Sequence, residues 1–360
     1  MRLNNLFSKY KESFHTHILN IIYTMPRRLN NLISEICTRE NIEISIKQVL
    51  RGSERKKRKT GQWILNHQEE VIAYTMDVIA NGSFRLGEYI QTTITEGPKE
   101  RVIQIIPLMQ RVVVNAIMRV IEDHLVKRMI NTTASSIIGR GCVYLKKIIE
   151  RDIRKDPEGT KYFYKIDITK YYAHIPHEGM KKCIRHYIKD KTILPILDNF
   201  IEMLPEGLSI GLRSSQVFGN LYLSWILDHK MKTKYHCKYY YRYCDDIVIL
   251  AGNKKELWKY HSIIKKELLG TNLSVKPSYT VRPVSNGIDY LGYVIYSDKY
   301  SKVRKRIKKN ALKKMNTLIS YRRRKEILNA IKGYCRYSQG KHLFNKLINL
   351  HKYENSTGVL

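Results

Sequence analysis

The feature that most restricts the fold is a pair of apolar segments meeting at two acids. Tyr239 to Tyr243 runs into Cys244-Asp245-Asp246, and Ile247-Val-Ile-Leu-Ala251 follows at once. Short runs rich in aromatic and β-branched residues, split by turn-forming residues, read as strand, tight turn, strand. Strands joined so closely pair antiparallel. The chain therefore carries a hairpin with carboxylates at its turn, and its flanks are apolar enough to bury it and aim the acids.

A second strand lies upstream. Tyr162, Tyr164, Ile166 and Ile168 alternate with Phe163, Lys165 and Asp167, the period of two that a strand requires. If the hairpin pairs beside this strand, Asp167, Asp245 and Asp246 meet at one edge of a sheet. Packed carboxylates repel one another unless a cation joins them. Mg²⁺ takes carboxylate oxygens together with substrate phosphates. Two such ions clamp the attacking and leaving oxygens of an in-line phosphoryl displacement. The plainer alternative is a polar turn with two solvated acids, and the apolar flanks speak against it.

The remaining pattern is mixed. After Pro107, residues Val112, Val113, Ala116, Ile117, Val120, Ile121 and Leu125 form a helical stripe. A helix is expected over 213–231, entered through the loop Gly207 to Gly211. Another starts with Asn253 as N-cap and Glu256 three residues on, carries Leu257, Ile264 and Leu268 on one face, and ends at Gly270. Strands at about 279–284 and 288–296 follow, and the tail from 302 is helical and rich in Lys and Arg. This order, β-α-α-β-turn-β-α-β-β, predicts an α+β fold: an antiparallel sheet with helices on one face, not a doubly wound parallel sheet.

Charge narrows the function. Sixty-five Lys and Arg against 32 Asp and Glu leave +33, while 43% of the residues are hydrophobic. Such a chain can bury a core and still needs a polyanion to neutralise it. Nucleic acid is the leading partner and an anionic membrane the rival. No run of eighteen uncharged apolar residues occurs, so no membrane span is expected. The N-terminus has no signal core or Ala-x-Ala site, which points to the cytoplasm. Cysteines at 37, 142, 183, 237, 244 and 335 form no C-x-x-C pair and read as free thiols. Residues 1–75 read as a basic helical extension. Within it Arg2-Leu-Asn-Asn-Leu6 recurs as Arg28-Leu-Asn-Asn-Leu32, and Met25 is an alternative start. Arg55 to Lys59 is an unbroken basic run, either a solvated loop or a phosphate contact. His174 and His177 have no third ligand at metal-binding spacing.

Taken together, these segments resemble reverse transcriptases. Tyr243-Cys-Asp-Asp246 followed by Ile-Val-Ile resembles their Y-x-D-D box, and Phe163-Tyr-Lys-Ile-Asp167-Ile-Thr-Lys-Tyr-Tyr172 their first catalytic motif. In that motif an aromatic gate, here Tyr172, stands five residues after the Asp and excludes a 2′-OH. Gly207-Leu-Ser-Ile-Gly211-Leu-Arg-Ser-Ser-Gln216 resembles the loop against the nascent base pair. Lys276, in Leu273-Ser-Val-Lys-Pro277, matches the basic residue near the leaving pyrophosphate. Asp289-Tyr-Leu-Gly-Tyr293 resembles the primer-grip hairpin, with Tyr290, Leu291, Gly292 and Tyr293 as its grip. Arg101-Val-Ile-Gln-Ile-Ile-Pro107, Arg111 and Gly139-Arg-Gly141 resemble fingers motifs. The likeness covers residues 95 to 295, in order.

One departure indicates the subfamily. Group II intron and retroviral enzymes have Gln before the loop glycine and end the loop in Ser-Pro. Here Ile210 and Gln216 take those places, a pattern similar to the reverse transcriptases of diversity-generating retroelements. Those enzymes copy a template-repeat RNA with errors opposite adenine, and the altered cDNA replaces a variable repeat. A Gln beside the incoming nucleotide adds a hydrogen bond that restricts its position, whereas Ile supplies only shape.

The resemblance implies a right-hand polymerase, with fingers over 76–160, palm over 161–296 (a fingers-side insertion around 182–212) and a helical thumb over 297–360. It implies two Mg²⁺ ions, with Mn²⁺ as substitute, on Asp167, Asp245, Asp246 and the Ile168 carbonyl. Arg101, Arg111, Tyr172, Ile210, Gly211, Gln216 and Lys276 are then the nucleotide-binding residues. The implied partners are an RNA template, a DNA or RNA primer, dNTPs and a small basic accessory protein oligomer, in a bacterial or phage-encoded system. A phage-defence or retron-like enzyme is the alternative within the same chemistry. A maturase-like RNA-binding protein is the non-enzyme alternative.

Overall fold

The computed structural model describes residues 28–96, 99–316 and 321–356. The first copy of the Arg-Leu-Asn-Asn-Leu motif and the Met25 start lie outside the described residues. One compact unit comprises the described residues up to Lys127 together with Ile175–Phe218. The other comprises Arg128–His174 and the described residues from Gly219 onward.

The first unit is built on the helix Leu108–Val126. Val112, Val113, Ala116, Ile117, Ile121 and Leu125 of its expected stripe are buried, and so are Val114 and Met118 on its other side. Val120 is only half-buried. A helix buried nearly all round needs neighbours on every side. Arg39–Val49, capped by the Thr38 side chain, supplies Ile42, Ile46 and Val49. Asn41 donates to the Ile36 and Ala116 carbonyls and accepts from Arg119 Nε. Residues 28–75 thus share one core with the helix at 108–126. The basic run at 55–59, for which a loop was one expectation, is helical except at Arg58, whose extended backbone separates Ser53–Lys57 from Lys59–Asn66. Strands β1 (Ile90–Glu96) and β2 (Lys99–Ile105) form an antiparallel ribbon with Ile90 opposite Ile105.

The second unit carries a five-stranded sheet. Its strands are β3 (Thr133–Ala134), β4 (Tyr162–Asp167), β5 (Tyr239–Tyr243), β6 (Asp246–Ala251) and β7 (Thr280–Pro283), in the order β3-β5-β6-β4-β7. Every pairing is antiparallel except the short β3–β5 ladder. Phe163, Tyr239, Tyr241, Val248 and Leu250 point to one face, against Leu145, Ile149 and Ile153 of the helix Cys142–Lys155. Tyr164, Tyr240 and Arg242, one step out of phase, point to the other, where they meet His261 and Asp228.

Helices therefore cover both faces, which corrects the expectation of one. The physical reason is in β6, where Ile247 to Ala251 are all buried, and a strand buried throughout has no solvent face. The helix expected at 213–231 runs from Arg213 to Thr233 but widens into a π-helical turn at Ser224–Asp228. The helix Lys254–Leu268 begins as expected, with the Asn253 side chain accepting from Glu256 N. The segment at 288–296 is two strands, β8 (Ile288–Tyr290) and β9 (Tyr293–Ile295), and β10 (Lys302–Val303) pairs with β9. Beyond it the helices Lys305–Asn316, Tyr321–Arg336 and Lys341–Ser356 share an apolar cluster that includes Met315, Ile331 and Leu347.

Candidate active site

The sheet brings the acids together by register. Asp167, last in β4, stands opposite Asp246, first in β6. Ile168 N donates to the Asp245 carbonyl at 3.3 Å, and Lys276 N donates to the Asp167 carbonyl at 2.9 Å. The turn is tight because Cys244 takes a left-handed conformation, φ 56°. Ile168 itself is fully buried and bridges to Val275.

The carboxyl groups of Asp167 and Asp245 are close neighbours. Burial, then hydrogen bonding and like charge from Asp167, push Asp245 up to about 6; Asp246 adds a smaller repulsion. Asp167 Oδ1 is buried with no hydrogen-bond partner, and Lys276 Nζ pairs with Oδ2. An orphaned carboxylate oxygen, a second acid pushed toward neutrality and an ammonium drawn in beside them fit a place for cations. Among the described residues, no three His, Cys, Asp or Glu side chains are gathered as a ready-made metal cage. The donor set at hand is the Asp167–Asp245 pair with Asp246 across the ladder.

Tyr172 follows in the helix Tyr171–His174. Its hydroxyl lies 3.3 Å from Cys244 Sγ. Burial first, then Cys244, raises the phenol, and burial pushes the Cys244 thiol up to about 12, so both groups stay neutral at physiological pH.

The expected primer-grip residues form the turn between β8 and β9. Leu291 and Gly292 both have positive φ, 53° and 86°, the conformation of a two-residue hairpin. A Cβ on Gly292 would lie 2.5 Å from Tyr334 Cε1. Tyr290 and Tyr293 are core residues, each 1% exposed. Tyr290 hydroxyl donates to the Asp246 carbonyl at 2.9 Å, which ties this hairpin to the acid turn.

The first unit gathers another group of expected residues. Arg111, Ile210, Gly211 and Gln216 line one cavity of about 270 Å³. Gly211 lies on β2 so closely that a Cβ would fall 1.8 Å from the Gln104 carbonyl oxygen. Ser209 Oγ donates to the buried Gln104 side chain at 2.8 Å, and His177 Nε2 lies 2.8 Å from the Gly207 carbonyl. Arg101 is exposed on β2 and does not line this cavity.

Sequence reasoning missed the support behind the acids. Arg242 is fully buried, and its guanidinium is satisfied by Asp228, Asn220 and the Cys244 carbonyl. Asp228 also accepts from Tyr240 and Thr133 hydroxyls. The signal was present: an Arg inside an aromatic strand needs a buried acid partner.

Comparison with known proteins agrees with this geometry. The family described as reverse transcriptase (RNA-dependent DNA polymerase) matches residues 96–295. No curated protein matches the chain significantly. Similar solved structures include apo telomerase from Candida tropicalis, at 13% identity and a TM-score of 0.46, covering 64% of this chain and 52% of that one. Telomerase from Candida albicans in complex with a TWJ fragment of telomeric RNA matches at 11% identity and 0.49, covering 80% of this chain and 61% of that one. The chain thus spans about half to three-fifths of those proteins. Among the described residues no helix is long and apolar enough to cross a membrane. With its acid hairpin paired beside Asp167 and the family match running through both, the chain belongs to the reverse transcriptase (RNA-dependent DNA polymerase) family.

Proposed function

We propose that this chain copies RNA into DNA at Asp167 and Asp245, extending a DNA or RNA primer with dNTPs, as the mutagenic enzyme of a diversity-generating retroelement. The observation that carries the chemistry is the half-buried Asp167–Asp245 pair with its orphaned oxygen. Asp167, Asp245, Asp246 and the Ile168 carbonyl would hold two Mg²⁺ ions, or Mn²⁺ in their place, which would supply positive charge for activating a primer 3′-OH and stabilising the reacting phosphate. Lys276 adds positive charge beside Asp167, for the departing pyrophosphate. Tyr172, fixed by burial and by Cys244, excludes a ribose 2′-OH. Arg101 and Arg111 take phosphates of the incoming nucleotide, and the hairpin at 290–293 holds the primer end through its backbone, since its tyrosines are buried.

On this reading the five-stranded sheet is the palm, the helices from Lys305 are the thumb, and β1–β2 with its neighbouring helices forms the fingers. The diversifying role rests on Ile210 and Gln216, which line the Arg111 cavity. With Ile210 the loop offers the nucleotide shape without a side-chain hydrogen bond, so a mispaired geometry is penalised less. A small basic accessory protein oligomer and a structured template RNA complete the proposed system.

The test is primed cDNA synthesis on a defined RNA with Mg²⁺ and four dNTPs, with errors read by template base and Asp245→Ala as control. The accessory protein and cognate RNA are included. Errors concentrated at template adenines, reduced by Ile210→Gln, support the diversifying role. Uniformly low errors would retain the polymerase and favour a defence or retron-like role. Absence of Asp245-dependent synthesis would favour an RNA-binding protein.

A further inference from the structure

The basic run at 55–59 is left unexplained by the polymerase site. In the first unit it delivers two arginines to the neighbourhood of a third. Arg55 and Arg111 line the cavity of about 270 Å³. Arg55, Arg58 and Arg111 together line a larger one of about 710 Å³, with Thr60 and Tyr89 in its wall. Backbone carbonyls orient two of the guanidinium groups: Arg55 Nη1 donates to Val49 O and Arg111 Nε to Ile106 O, each at 3.0 Å.

Among the described residues, no carboxylate forms an ion pair with any of these three arginines. Glu88 stands in the wall of the larger cavity without pairing to them. Arg213 provides the contrast, since it lines the smaller cavity and is paired with Glu122 at 3.0 Å. Burial, then the charges of Arg55 and Arg58, depress the Arg111 guanidinium. Three like charges converging on a concave surface are unfavourable until an anion arrives. Guanidinium groups match phosphate oxygens in a fork that ammonium groups do not reproduce.

We propose that Arg55, Arg58 and Arg111 form a phosphate-binding site, to which the N-terminal segment contributes two of the three arginines. The phosphate comes from one of two sources: the triphosphate of the incoming nucleotide, or the backbone of the template strand. Only this choice of sources rests on the polymerase reading; the anion site follows from the arginines themselves.

The full chain and its Arg55→Gln/Arg58→Gln variant are compared in three measurements, with Arg55→Lys/Arg58→Lys as the conservative control. The first is the thermal shift caused by inorganic tripolyphosphate, which needs no enzymatic activity. We expect stabilisation of the wild type, its loss in the Gln variant and only partial recovery in the Lys variant. The second is the KM for dNTP on a primed RNA, which rises about tenfold with kcat unchanged if the triphosphate is the occupant. The third is affinity for single-stranded RNA across salt concentrations. If the backbone is the occupant, affinity falls and the log–log salt slope loses about 1.4, roughly 0.7 for each lost phosphate contact. Equal tripolyphosphate shifts in wild type and Gln variant, with dNTP KM and RNA affinity unchanged, would overturn the proposal. A wild type that makes no cDNA yet shows the arginine-dependent shift would retain the anion site and remove the polymerase reading.

Discussion

Arg242 and Asp228 form an ion pair at 2.6 Å in which neither side chain is exposed to solvent. The same guanidinium donates to the Cys244 carbonyl at 2.7 Å, inside the turn that carries Asp245 and Asp246. Asp228 closes the π-helical turn Ser224–Asp228. The extra residue in that turn re-aims the helix side chains that follow it, and the acid it ends on meets β5. The turn that carries Asp245 and Asp246 therefore rests on a buried charge pair rather than on apolar packing alone.

Breaking that pair from one side strands a charge. Arg242→Leu is expected to cost about 3–5 kcal/mol, the usual penalty for an unpaired buried ion. Combining it with Asp228→Leu should recover part of the loss. Denaturant unfolding of the wild type, both single variants and the double variant measures the coupling. Simple additivity would contradict it.

The pair also sets an acid limit. Burial alone would raise the Asp228 carboxyl, but the charge and hydrogen bonds of Arg242, with those of Tyr240 and Thr133, hold it below its ordinary 3.8. A carboxyl depressed in the folded state stabilises above the unfolded value and loses that contribution as pH falls through the folded one. Wild-type stability from this group should hold near neutrality and decline only below pH about 4. Asp228→Asn should start less stable and show a shallower loss over that acid range in urea titrations.

Asp245 sits against Asp167 at a cost to stability. Asp245→Asn removes a like charge, so Tm should rise by about 2–4 °C for each kcal/mol relieved, while cDNA synthesis is lost. Mg²⁺ should raise the Tm of the wild type and have little effect on the Asn variant. Thermal denaturation with and without the metal reads both. An equal Mg²⁺ shift in the two proteins would place the cation elsewhere.

Gly211 has no room for a side chain. Gly211→Ala would drive its Cβ into the Gln104 carbonyl, and relief requires the loop at 207–212 to leave β2. We expect a loss of about 1–3 kcal/mol, typical of overpacking, together with a raised KM for dNTP. Equilibrium unfolding and steady-state kinetics test the two effects separately.

The local pattern was sufficient for much of this. The hairpin at 239–251, the strand ending at Asp167, the capped helix at 254–268 and the stripe after Pro107 were legible because each depends on short-range periodicity, turn residues and caps. The continuous apolar run Ile247 to Ala251 also carried the sign that both sheet faces are covered, although the order of the elements suggested one covered face. What neighbours along the chain could not determine was which groups meet across it. Asp228 pairs with Arg242 because a π-helical turn and a strand register bring them together. Gly211 is confined by the β2 backbone. Tyr290 and Tyr293 are core residues because the helix carrying Tyr334 packs over their hairpin. Arg55 and Arg58 stand with Arg111 because the helix that follows them, Lys59–Asn66, buries Gly61 and Ile64 and packs against Leu108–Val126. Charge, volume and burial at these places are properties of partners distant in sequence. They were decided only when the chain closed on itself.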